Sequence, residues 1–154
     1  MKSFFLFLAV LVLPHSVAVT PSLANEKSIT IGDVAKVVGA PVKLVPRDAC
    51  EGAGGDLNFA LKEDGRLILM VRFLDGDKFK PLASDKNSYK APVKGVGDEA
   101  FSGPLTDPQY ILILRKGKQT VSLSTYFNTT GPVKEPLLTT AQLAELGRVI
   151  ASRL

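Results

Sequence analysis

Apolar and polar positions change period several times along the chain, and each change marks an element. From Ile31 the apolar residues Ile31, Val34, Ala35 and Val38 recur at helical spacing. Thr30 stands at the N-cap with Asp33 three residues on, a capping-box arrangement, and Gly39 followed by Pro41 stops the helix. The spacing predicts a helix over about residues 31–38. Val42 to Val45 reads as a short strand ended by Pro46. Leu57, Phe59 and Leu61 then alternate with Asn58, Ala60 and Lys62, Glu63-Asp64-Gly65-Arg66 turns, and Leu67 to Leu74 return, a β-hairpin. The returning strand is apolar on both faces at Leu67-Ile68-Leu69-Met70-Val71, as expected of a central strand covered on one side and partly shielded on the other.

Residues 75–95 are polar and lysine-weighted, a long connection with at most one helical turn near Pro81 to Ser84. A second hairpin follows. Tyr110 to Leu114 is a strand, Arg115-Lys116-Gly117-Lys118 turns, and in the return Val121, Leu123 and Thr125 face opposite to Ser122, Ser124 and Tyr126. Thr139-Thr140-Ala141-Gln142 is a second capping box, and Leu143, Leu146, Gly147, Ile150 and Leu154 form the apolar stripe of a last helix. Helix, hairpin, long connection, hairpin, helix predicts an α+β fold: a two-layer sandwich, its antiparallel sheet of two main hairpins covered by two amphipathic helices.

The N-terminus carries a pattern of another kind. Lys2 precedes an unbroken apolar run from Phe4 to Leu13, Pro14 breaks it, and Ser22-Leu23-Ala24 places small residues at the −3 and −1 positions of a cleavage site. Ser16-Val17-Ala18 offers an earlier cut, disfavoured by Pro21 and by the polar start at Asn25 and Glu26. Ten apolar residues fall well short of the roughly 20 that span a bilayer core. Residues 1–24 are therefore expected to be a cleaved signal peptide, and residues 25–154 a single exported domain, soluble in the periplasm or outside the cell. The one cysteine, Cys50, lies well past the cut, so no acylated anchor is expected.

Composition narrows the chemistry. Of 19 Lys and Arg the cut removes only Lys2, and of 15 Asp and Glu none, which leaves a mild positive excess unlike that of a nucleic-acid binder. The only histidine, His15, belongs to the signal. The mature domain thus has no imidazole for a Ser-His-Asp or Cys-His mechanism or for the usual zinc, copper and iron sites, and no cofactor is expected. A lone cysteine excludes an intramolecular disulfide.

Two stretches, Val93-Lys94-Gly95-Val96-Gly97-Asp98-Glu99-Ala100-Phe101 and Leu114 to Gly117 followed by Val121-Ser122-Leu123, combine with a helix ending at Gly39-Ala40-Pro41-Val42. Together they resemble a broad group of uncharacterised exported bacterial domains, many of them lipoproteins, with a GxGDEA turn and a C-terminal helix. The resemblance implies an α+β sandwich outside the cytoplasm, PsbP-like in fold, and carries no activity with it. The chain departs from the group in lacking both the lipidation cysteine and a frequent second cysteine.

Candidate functional residues are few. Asp98 and Glu99 are adjacent carboxylates that can begin a calcium or acid/base site, but neighbours in a strand point to opposite faces, and Asp98 suits a turn acceptor. Cys50 is a free thiol in an oxidising compartment, with Arg47 the nearest cation; it is either a reactive group or a small buried apolar one. Lys78, Lys80, Lys86, Lys90 and Lys94 offer weak contact to a polyanion. Tyr89, Phe101, Tyr110, Tyr126 and Phe127 are potential groove-lining aromatics, with core packing the alternative. Gly95-x-Gly97 lacks the third glycine of a dinucleotide fingerprint and suits a tight turn. The reading that results is a non-catalytic binding or accessory domain whose partner is an envelope protein or a small ligand. The alternative is a small thiol-dependent redox enzyme using Cys50.

Overall fold

The structure is a computed structural model and describes residues 23–46, 56–85, 91–103, 110–128 and 135–154. The first 22 residues of the expected signal, and Cys50, Lys86, Tyr89 and Lys90, lie outside these. Nine strands and four helices are present among the described residues. Helix α1 (Leu23–Ser28) begins just ahead of the expected cut. After it come α2 (Ile31–Val38), β1 (Val42–Val45), β2 (Leu57–Leu61) and β3 (Leu67–Asp75). A single 3-10 turn, Gly76–Lys78, leads into α3 (Phe79–Ala83). Then come β4 (Ala91–Pro92), β5 (Glu99–Gly103), β6 (Ile111–Lys116) and β7 (Gln119–Thr125). The chain closes with β8 (Phe127–Asn128), β9 (Glu135–Pro136) and α4 (Thr140–Ala151).

Both capping boxes form. The Asp33 amide donates to Thr30 Oγ1 while the Asp33 carboxylate accepts from the Thr30 amide at 2.8 Å, and Thr139 and Gln142 repeat the exchange on α4. Gly39, at φ +75°, takes the left-handed conformation that ends α2. These are local contacts, which is why spacing alone predicts them.

Seven strands form one antiparallel sheet in the order β1-β2-β3-β7-β6-β5-β4, and β8 and β9 make a separate short ribbon. The two expected hairpins, β2–β3 and β6–β7, are its centre, joined where β3 pairs with β7 from Leu69↔Thr125 to Asp75↔Gln119. The α+β class with a large antiparallel sheet is thus correct. The description as two hairpins under two helices is too small. Strand β1 extends one edge, and β4 with β5 extend the other, where the glycine-rich segment holds a turn within a third hairpin. Short strands of two to five residues carry little periodicity, so their pairing is invisible in the pattern.

The strict two-layer arrangement also needs correction. On one face α2 and α4 cover a core that includes Val42, Phe59, Leu69, Val71, Leu112, Leu123, Leu143 and Ile150. On the other face α3 sets Phe79 against Ile113, with Leu82, Phe101 and Ile111 around them, a smaller second core. Phe101 therefore serves packing, its ring 5.9 Å from that of Phe79. Tyr110 and Phe127 pack edge-to-face at 4.8 Å at the far end of the sheet. Two residues expected in the apolar stripes are exposed, Ile31 and Leu154. Leu154 lies past the end of α4, and beside Ile31 it is Ile29 that enters the core.

The two helices that cover the first face are clasped together. Arg153, just after α4, grips Asp33 of α2 in a two-pronged contact, Nη1 to Oδ2 at 2.5 Å and Nη2 to Oδ1 at 2.8 Å. Asn58, in β2 between Val45 and Met70, is fully buried, and neither atom of its amide has a partner among the described residues.

Candidate functional site

Of the residues that the sequence marks for chemistry, Lys78, Lys80, Asp98 and Glu99 lie towards one end of the sheet, whereas Tyr110 and Phe127 pack at the other and Cys50 lies outside the described residues. At the first of these ends β3 stops, β5 and β7 begin, and the β6–β7 turn closes. Gly97, at φ +62°, lies so close to β6 that a Cβ would stand 2.5 Å from the carbonyl oxygen of Arg115, so both backbone conformation and space require glycine. That approach delivers Asp98 onto the β6–β7 turn. Its amide donates to the Arg115 carbonyl at 2.8 Å, Oδ2 accepts from the Gly117 amide at 2.8 Å, and Oδ1 accepts from Lys116 Nζ at 3.1 Å.

Asp98 is thereby a turn acceptor. The Gly117 amide first, and then Lys116, holds its carboxyl below the usual carboxylate range. Glu99 starts β5 opposite Arg115 and pairs with its Nε at 3.6 Å. Both carboxylates thus address the Arg115 guanidinium, which also lies 5.9 Å over the ring of Phe79. Both oxygens of Asp98 are thus engaged at the turn, while Glu99 faces Arg115 across the strand pair. Among the described residues no group of three or more potential metal ligands occurs.

Beside this cluster opens a cleft of about 880 Å³, within the roughly 300–1,000 Å³ range of small-molecule sites. Its charged lining is Asp75 and Asp77 on one segment, Lys80 on α3, Arg115 near the end of β6 and Lys118 in the β6–β7 turn. Gly76 shapes it: a Cβ there would stand 2.6 Å from the Lys118 carbonyl oxygen, so only glycine lets the segment after β3 lie against that turn. Phe79, buried in the second core, anchors α3 and so fixes Lys80. Lys78 makes a long 3.9 Å contact to Asp77. Neither Lys80 nor Lys118 has an ion-pair partner among the described residues.

Sequence reasoning singled out Lys78, Lys80, Asp98 and Glu99 but assigned them to two unrelated features. It passed over Arg115 and Lys118, which appear only as turn residues, and over Gly76, which falls unnamed in the long connection. The signal available was the basic turn Arg115-Lys116-Gly117-Lys118, whose position next to the lysine-weighted connection depends on β3 pairing with β7. A second hollow, about 430 Å³ and lined by Ala40, Pro41, Leu61, Lys62 and Glu63, contains none of these residues.

The fold and site define an α+β domain built on a seven-stranded antiparallel sheet with a charged cleft at one end. No protein family matches the chain, and no curated protein or solved structure shows significant similarity to it. Among the described residues no helix is long and apolar enough to cross a membrane.

Proposed function

We propose that this chain is an exported domain, periplasmic or secreted, which acts as a non-catalytic binding or accessory module and uses the charged cleft as its contact surface. The observation that carries the reading is the cleft itself: ligand-sized, with Lys80 and Lys118 free of ion pairs among the described residues. It is held by rigid hairpins and by Gly76, whose close approach excludes a side chain. A preformed concave surface with unpaired cations costs little to organise on binding, which favours recognition. The export part rests on the Lys2, Phe4–Leu13 and Ser22-Leu23-Ala24 pattern, and the resemblance to exported α+β domains agrees with it.

Two measurements test the reading. Expression of the full chain in a bacterial host, followed by fractionation and intact-mass analysis, is expected to give an exported protein starting at Asn25. An unprocessed cytoplasmic chain contradicts export. A thermal-shift panel of neutral sugars, amino acids, short peptides and polyphosphates is expected to contain a class that raises Tm. That shift should vanish in Lys80→Ala/Lys118→Ala and persist in Cys50→Ala. A ligand whose effect needs Cys50 but neither lysine places the activity elsewhere.

A further inference from the structure

We infer that the second face of the sheet holds a site for the carboxylate end of a short peptide, separate from the charged cleft, with Asn58 and Arg72 as its recognition groups. Phe59, Leu69, Val71 and Leu123 belong to the core beneath α2 and α4. Strand alternation therefore sets Asn58 of β2, Met70 and Arg72 of β3, and Ser122 and Ser124 of β7 on the opposite face. The register makes them neighbours: Asn58 stands opposite Met70, Met70 opposite Ser124, and Arg72 opposite Ser122. Among the described residues the side chains of Asn58, Arg72, Ser122 and Ser124 have no hydrogen-bond or ion-pair partner.

Asn58 is the observation that points to a ligand. Its amide is fully buried with donor and acceptor both unmet, a cost that an apolar residue in its place avoids. A carboxamide offers an acceptor and N–H donors in one plane, the match for the N–H and C=O of a peptide bond. Arg72 is exposed and presents a planar fork of donors, which suits a carboxylate. Asp56, just before β2, accepts from the Phe73 amide at 2.6 Å and makes no ion pair with Arg72. Arg72 lies diagonally across from Asn58, about 7–8 Å away between backbones. An extended chain advances about 3.3–3.6 Å per residue, so a terminal carboxylate on Arg72 brings the amide two residues back onto Asn58. Val45 and Met70, half-buried on either side of Asn58, supply apolar surface, and the unbranched Met70 side chain can turn aside to admit the peptide. No aromatic ring stands among these residues for a sugar ring to stack on.

The test uses the exported protein purified from cells expressing the full chain, titrated calorimetrically with N-acetyl-alanyl-leucine. Binding is expected, and capping the terminal carboxylate as an amide should weaken it by at least about tenfold. Arg72→Gln, a change at an exposed residue, should do the same. Arg148→Gln, the same charge change on exposed α4 surface, should leave the affinity within about twofold. Asn58→Leu should raise the Tm of the free protein and yet weaken peptide binding by at least about tenfold, a pairing that a purely structural amide does not produce.

An Asn58→Leu protein that binds the peptide as the parent does overturns the inference, and so does a fall in its Tm. Equal affinity for the acid and its amide, or no binding of either, overturns it too. Tighter binding of a uronic acid through Asn58 and Arg72 overturns the peptide assignment in favour of an acidic sugar. Peptide binding lost in Lys80→Ala/Lys118→Ala but kept in Asn58→Leu places the peptide in the cleft; the cleft reading then stands while this inference falls.

Discussion

Asp33 does two jobs with one carboxylate, closing the capping box of α2 and gripping Arg153. Its contact with Arg153 first, and then its bonds to Thr30, hold the carboxyl well below the ordinary carboxylate range. In the unfolded chain it titrates near about 3.9, so below that pH the unfolded state binds a proton that the folded state does not. This contribution to stability is therefore present above about pH 5 and is lost progressively as the pH falls toward the folded value. Asp33→Asn keeps a capping acceptor but loses the charge pair; at pH 7 it should cost about 1 kcal/mol in urea unfolding. The gap from the parent should narrow toward pH 2. A constant gap across that range contradicts the assignment. Asn58 is the reverse case, a buried amide with no partner among the described residues. Asn58→Leu removes that desolvation cost and is expected to raise stability by about 1 kcal/mol. A loss of stability instead means that the amide has a partner it needs. The Thr30–Asp33 and Thr139–Gln142 boxes were legible in the sequence because each partner lies three residues away. Arg153 as the partner of Asp33 was not, because 120 residues separate them.

At the scale of elements, α4 illustrates how close packing sets identity. A Cβ on Gly147 would stand 2.8 Å from Leu112 Cδ2 and 2.9 Å from Val96 Cγ1, so glycine lets the helix settle onto β6. Gly147→Val should cost about 2 kcal/mol or more, read as a lower urea midpoint at unchanged slope. A stability equal to the parent would show that the helix lifts away without penalty. The apolar stripe of α4 was visible from its spacing, whereas the reason for glycine within it was not, because the clashing atoms belong to a strand and a turn elsewhere in the chain. Helix α3 was less legible still. Five residues with a proline carry almost no period, and what anchors it is Phe79 meeting Ile113 on the second face.

For the molecule as a whole, the central seam is β3 against β7, strands whose partners lie some fifty residues apart. The core of both hairpins is buried around this seam, so amide exchange should be slowest in β3, β6 and β7 and faster in the edge strands β1 and β4. Equal protection at the edges would show that the sheet opens as one unit. The seam also makes the cleft, since it sets the 3-10 turn after β3 against the β6–β7 turn. By itself the sequence determined what depends on neighbours within a few residues: the two capped helices and the two central hairpins. The candidate carboxylates could be named there but not given roles. Only the tertiary structure decided that Asp98 is a turn acceptor, that the lysines of a connecting segment meet those of a hairpin turn, and that glycine is required at residues 76, 97 and 147. Those outcomes depend on long-range strand pairing, which brings together groups whose separation along the chain carries no local signal.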